Sequence, residues 1–282
     1  MNQVPTIKLN NGTLMPQLGY GVWQVPDAEA ERAVATALEA GYRSVDTASV
    51  YGNEAGTGKG IAASGIPREE LFVTTKLWNG PSRTWDRDAV LRAFDESLTR
   101  LGLDHVDLYL IHWPRPMRDD FVSIWKTFEE IAASGRAKAV GVSNFRAEDL
   151  ERIAAESPLV PAVNQIELHP LFPQAELRAE HARRGIATEA WSPLGQGQEL
   201  LTLPAVTALA EKYGRSAAQV VLRWHLQLGN IVIPKSVTPA RIRENLDVFG
   251  FELEDGDVAA LSALGAGPAG RRIGPDPAEF DV

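Results

Sequence analysis

The sequence predicts an α/β fold, a (β/α)8 barrel of the TIM type, on three observations. Short β-rich runs alternate with longer amphipathic stretches across the 282 residues, as repeated strand–helix units around a parallel sheet require. The length suits one barrel with a core large enough to need no disulfide or metal. Finally, almost every β-rich run ends on a polar or aromatic side chain that a core does not need. In a barrel the C-terminal strand ends share one mouth, so residues far apart in the chain meet there. The chain, 1–282, is therefore read as one domain.

Taken in order, residues 6–15 read as two short strands joined at Asn11-Gly12, a hairpin signal, and such a hairpin would plug one end of the barrel. Eight strands follow at 17–21, 44–47, 72–76, 106–112, 137–142, 162–167, 187–191 and 231–234. Helical periodicity falls at 28–40, 87–101, 120–134, 148–155, 174–184 and 216–227. Ser216 reads as an N-cap, Gly41 and Gly185 as C-terminal stops, and Pro204 as a first-turn residue. The tail, 265–282, is rich in Gly and Pro around Arg271-Arg272 and has no helical period, so it is expected to be a short loop laid over the surface.

Composition removes several function classes. There is no cysteine, which excludes disulfides, thiolate metal sites and Cys nucleophiles. The five histidines, at 105, 112, 169, 181 and 225, form no metal-type pair, so no metal is implied. With 28 basic against 37 acidic residues the formal charge is -9, which argues against nucleic acid or an anionic membrane as partner. No apolar run is long enough to span a bilayer, and the amino terminus lacks a leader pattern. A cytoplasmic monomer acting on a small molecule is the expectation. Against the acidic background the segment 234–243 carries Lys235, Arg241 and Arg243 with no acid, which invites an anionic ligand.

Strand ends supply a proton-transfer set. Asp46 ends the second run and Tyr51 follows five residues later; Lys76 and His112 close two later runs. A phenol with a reference pKa near 10 is a proton donor at neutral pH. A neighbouring ammonium favours its phenolate and is expected to lower that pKa, while a carboxylate keeps the ammonium charged against burial.

These residues lie in segments that resemble the aldo-keto reductases over essentially the whole chain, most closely the bacterial 2,5-diketo-gluconate reductase type. The segments are Leu18-Gly19-Tyr20-Gly21-Val22-Trp23, Val45-Asp46-Thr47-Ala48 with Tyr51-Gly52-Asn53-Glu54, Thr74-Thr75-Lys76-Leu77-Trp78, and Asp107-Leu108-Tyr109-Leu110-Ile111-His112-Trp113-Pro114. Further on come Gly141-Val142-Ser143-Asn144-Phe145, Pro161-Ala162-Val163-Asn164-Gln165-Ile166-Glu167-Leu168-His169-Pro170, Ser192-Pro193-Leu194-Gly195 and Ile233-Pro234-Lys235-Ser236. The resemblance implies a carbonyl reductase that uses NADPH. Tyr51 would be the general acid, Lys76 its charged neighbour, Asp46 the partner of Lys76, and His112 the donor that orients the carbonyl.

The same resemblance implies a cofactor lying extended across the mouth. Trp191 would stack on the nicotinamide, and Ser143, Asn144 and Gln165 would bind its carboxamide. Ser192, Leu194 and Gln196 would line the pyrophosphate path. Lys235, Ser236 and Arg241 would hold the 2′-phosphate, with Glu244 and Asn245 near the adenine; Val22, Trp23, Asp46, Val237 and Thr238 complete the set. Trp23, Tyr51, Trp78, His112 and Trp113 would form the substrate wall. The short tail suggests a shallow site for small polar carbonyls such as dicarbonyls and keto-sugar acids, with Arg271 and Arg272 available at its rim.

Other readings explain less. Neither Gly58-Lys59-Gly60 nor Gly19-Tyr20-Gly21 continues as a phosphate-binding fingerprint. A barrel glycosidase would use Glu167 and Glu189 as its two carboxylates, yet gives Tyr51, Lys76 and the basic turn no purpose. Gly141-Val142-Ser143-Asn144-Phe145 misses the second Gly of a serine-hydrolase elbow. A nicotinamide-nucleotide sensor with little catalysis remains as the alternative, because fold alone does not settle function.

Overall fold

A computed structural model describes residues 4–80, 85–197, 199–267 and 270–281. A hairpin of β1 (Thr6–Lys8) and β2 (Leu14–Pro16) precedes eight parallel strands. These are β3 (Tyr20–Gly21), β4 (Ser44–Asp46), β5 (Phe72–Leu77), β6 (Val106–Ile111), β7 (Ala137–Ser143), β8 (Val163–Glu167), β9 (Ala187–Trp191) and β10 (Ile231–Val232), each hydrogen-bonded to the next in chain order. The ring closes where Leu18 pairs with Val232, and the Gly19 N–H donates to the Val232 carbonyl at 2.8 Å. The first and last strands are shorter than expected because this closing seam carries so few ladder bonds.

Helices alternate with the strands: α1 (Asp27–Ala40), α2 (Glu54–Ala63), α3 (Arg87–Leu101), α4 (Phe121–Ala133), α5 (Ala147–Glu156), α6 (Ala175–Arg184), α7 (Pro204–Tyr213), α8 (Ala217–Gln227), α9 (Pro239–Leu246) and α10 (Asp255–Ala263). The expected boundary signals operate. At α8 the Ser216 hydroxyl accepts from the Gln219 N–H while the Gln219 side chain accepts from the Ser216 N–H, a capping box. Gly41 and Gly185 end α1 and α6 at φ of 116° and 71°.

Burial sorts by strand face. Leu108 and Leu110 of β6 point into the barrel beside Phe72, Ala139, Val163 and Ile231, and Leu9 and Met15 of the hairpin region fill the same cluster, so the hairpin does plug the barrel floor. Alternate residues such as Tyr109 and Ile111 join the larger core between strands and helices.

Two departures from expectation bear on packing and on the mouth. Residues 54–63 form α2 despite three glycines, because the helix lies too close to its neighbours to carry side chains there. A Cβ on Gly56 would sit 2.2 Å from the Asp27 carbonyl oxygen, and one on Gly58 2.1 Å from that of Leu101. The tail is no mere surface loop either: its described part crosses the barrel mouth. The Arg271 N–H donates to the Leu171 carbonyl, and the N–H groups of Ile273 and Gly274 donate to the Glu167 carboxylate at 2.5 and 2.8 Å.

Candidate active site

The four strand-end residues converge. Lys76, fully buried on β5, reaches across to β4, where its Nζ donates to Asp46 Oδ1 at 2.6 Å and to the Thr47 carbonyl at 2.8 Å. The same Nζ stands 5.2 Å from the centre of the Tyr51 ring. His112, just past the end of β6, meets Tyr51 edge to face at 5.8 Å. Tyr51 sits on a short 3-10 turn, Ser49–Tyr51, which buried Asn53 secures. The Asn53 amide donates to the carbonyls of Val22 and Val25, and its oxygen accepts from the Thr47 hydroxyl.

Burial governs the electrostatics. It works against the Lys76 charge, but Asp46 and Tyr51 outweigh it, and the Lys76 pKa ends above its ordinary value. For Tyr51 burial is the largest influence and pushes the pKa up. Lys76 pulls it down, Asp46 and Glu189 push it up again, and the net direction is upward. The lowering expected from Lys76 alone is thus overruled, and at neutral pH Tyr51 holds its proton firmly. Burial first, and then the Lys76 ammonium, keep the His112 pKa well below the usual histidine range, so its ring is neutral at pH 7.

A second network floors the mouth. The Gln165 amide nitrogen donates to Asp46 Oδ2 and to Glu189 Oε2, each at 2.9 Å. Ser143 donates to the Gln165 carbonyl, Asn144 Nδ2 donates to the His112 carbonyl, and Trp191 Nε1 donates to Asn144 Oδ1. Asn144, Ser192 and Gln196 all take positive φ, at 64°, 50° and 56°. Non-glycine residues in this region are uncommon and gather at functional sites.

The model of the Aldo/keto reductase family matches residues 8–266. The chain belongs to this family. It is 56% identical to an aldo-keto reductase of Mycolicibacterium smegmatis, with 98% of both chains covered. Identity is 50% both to the methylglyoxal reductase DkgA of Yersinia pestis, over 99% of each chain, and to the morphine 6-dehydrogenase of Pseudomonas putida, over 99% of this chain and 96% of that one. Among solved structures, a mutant of Gox0644 in complex with NADPH superposes with a TM-score of 0.92 at 47% identity, covering all of both chains.

In this aldo/keto reductase the expected rim residues follow the site outward. Val22 is buried, its N–H donating to the Asp46 carbonyl, whereas Trp23 is 40% exposed at the edge. Leu194 is half-buried, and Gln196 Nε2 donates to the Ser192 hydroxyl at 3.2 Å. Beyond the seam, Tyr20 OH donates to the Ser236 carbonyl, and Ser236 Oγ accepts from the Thr238 N–H, shaping a turn that leads into α9. Lys235, Val237 and Arg241 are exposed there, Glu244 is half-buried and Asn245 buried. Lys235 and Arg241 join no ion pair among the described residues.

The aromatic wall has a member that sequence reasoning missed. Trp78 lies edge-on to His112 at 5.5 Å, and Phe280 from the tail packs on Trp113 at 4.1 Å and Trp78 at 6.1 Å. Nothing around Phe280 in the sequence signals that contact. The arginines of the tail need correcting. Arg271 pairs with Glu199 at 2.9 Å, and Arg272 lies over the Phe172 ring at 4.6 Å, so neither is an uncommitted cation at the rim. The carboxylates of the glycosidase reading are also engaged: Glu167 holds the tail and His169, and Glu189 holds Gln165.

Proposed function

We propose that this protein reduces small aldehydes and ketones to alcohols with NADPH as reductant. The observation that carries the reading is the convergence of Tyr51, Lys76, Asp46 and His112 beneath one mouth. Bound NADPH supplies hydride, and negative charge then develops on the substrate oxygen. Donors must be placed where that charge appears. Tyr51 gives its proton to that oxygen, and Lys76, held charged by Asp46, stabilises the phenolate left behind. Neutral His112 orients the carbonyl by donating a hydrogen bond.

The residues present fit the cofactor. The half-buried Trp191 ring offers a stacking face, Ser143, Asn144 and Gln165 gather polar groups beside it, and Lys235 and Arg241, which join no ion pair among the described residues, suit a phosphate dianion. On this reading Ser192, Leu194 and Gln196 would serve the pyrophosphate, and Ser236, Val237, Thr238, Glu244 and Asn245 the adenosine end. Among substrates, methylglyoxal-like dicarbonyls and keto-sugar acids fit a site walled by Trp23, Trp78, Trp113 and Phe280. The two named relatives at 50% identity are named for very different molecules, so the substrate panel must include bulky polycyclic ketones as well. We further read the protein as a cytoplasmic monomer; among the described residues no helix is long and apolar enough to cross a membrane.

The test is to mix purified protein with NADPH and the panel and to follow the loss of NADPH absorbance. Turnover of dicarbonyls is expected. Tight NADPH binding with no turnover on any carbonyl would favour the sensor instead.

A further inference from the structure

Glu189 takes no part in the proton transfer above, yet it is fully buried beneath the same mouth. It pairs in register with Gln165 across β8 and β9 and stands two residues before Trp191, so its side chain shares the face of Trp191 one layer deeper. A side-chain amide has two N–H bonds. At Gln165 they meet two acceptors, Asp46 Oδ2 and Glu189 Oε2, each 2.9 Å from Nε2. The amide oxygen must then face away from both carboxyl groups, and no described residue donates to it.

We infer that Glu189 is a positioning residue that holds the Gln165 amide in one plane, so that Gln165 Oε1 accepts a hydrogen bond from the carboxamide N–H of the nicotinamide. The inference rests on the NADPH reading. One acceptor, Asp46, decides which end of the amide points down. The terminal torsion of a glutamine is broad, however, and a second acceptor is needed to fix its plane. Burial first, and then Asp46, push the Glu189 pKa up to about 8. At neutral pH the group is therefore mostly a neutral acid, which keeps an acceptor oxygen for Gln165 without setting a second full anion beside Asp46.

The experiment compares dissociation constants for three ligands: NADPH, its reduced 3-acetylpyridine analogue, whose methyl group replaces the amide NH2, and adenosine 2′,5′-bisphosphate, which has no nicotinamide. Wild type is expected to prefer NADPH over the analogue. Glu189→Met should shrink that preference by about three- to tenfold, the worth of one neutral hydrogen bond, with bisphosphate affinity unchanged. Glu189→Gln, which keeps an acceptor oxygen, should retain the preference. An unchanged preference in the Met variant, or an equal loss for all three ligands, overturns the inference. So does a wild type that binds the analogue as tightly as NADPH, a result that depends on no variant folding. Failure of wild type to bind NADPH at all would instead remove the cofactor reading beneath it.

Discussion

The floor of the mouth and the basic turn at its rim handle charge in opposite ways. On the floor Lys76, Asp46 and Gln165 are out of water, and the Lys76 ammonium and the Gln165 amide nitrogen meet carboxyl partners on other strands. At the rim Lys235 and Arg241 stand in solvent on a turn and the first residues of a helix. Burial strengthens every interaction on the floor but makes an unmatched group costly. Exposure makes the rim inexpensive to build and sensitive to salt. On the proposed reading, a floor that shifts protons needs desolvation, whereas a rim that only recognises a phosphate can remain wet.

Four measurements would break or sharpen that contrast. The largest effect belongs to the floor: Tyr51→Phe removes the donated proton and should lower kcat by about 10²- to 10⁴-fold, with the NADPH dissociation constant near wild type. Wild-type turnover in that variant would rule out Tyr51 as the acid. At the rim, a charge-assisted hydrogen bond contributes about 1.5–3 kcal/mol, and exposure favours the lower end. Arg241→Ala should therefore weaken NADPH about tenfold while leaving NADH nearly untouched, and added salt should erase much of the difference. Equal losses for both cofactors would place Arg241 elsewhere.

The third measurement follows stability with pH. Burial, and then Asp46, raise the Glu189 pKa in the folded protein to about 8, from an ordinary carboxylate value of 4.5. Between those values the unfolded chain has released a proton that the folded protein keeps. This contribution is complete below about pH 4.5 and is lost as pH rises through about 8, at up to about 1.4 kcal/mol per pH unit. Urea unfolding of Glu189→Gln should lack that component of the slope; an identical slope would show that Glu189 ionises normally. The smallest effect is at the wall, where Phe280→Ala should raise KM for aldehydes by about three- to tenfold, the worth of an aromatic contact, with kcat little changed. No change in KM would remove the tail from the substrate wall.

Much of the floor was legible because strand-end residues announce themselves: Asp46, Lys76 and His112 each interrupt or close an apolar run. What the sequence could not supply was depth. The charge partner of Tyr51 was visible, but the burial that overrules it exists only in the folded site. Glu189 stood out as a strand-end carboxylate, yet its raised pKa arises from burial first and then from Asp46, more than a hundred residues away in the chain. Phe280 was invisible for the same reason: it lies in a tail without periodicity, and its partners Trp78 and Trp113 sit more than 160 residues earlier in the chain. The short helices α9 and α10 carry too few turns for a clear period, and α2 was hidden because glycine ordinarily counts against a helix.

Those α2 glycines carry a practical consequence for anyone seeking a hardier enzyme. Replacing a helical glycine with alanine is a standard way to raise thermal tolerance, because it restricts the unfolded chain. Here the backbone carbonyls of Asp27 and Leu101 already occupy the space a methyl group would need. A consensus-style library should leave positions 56 and 58 fixed and direct its substitutions to exposed positions of the other helices.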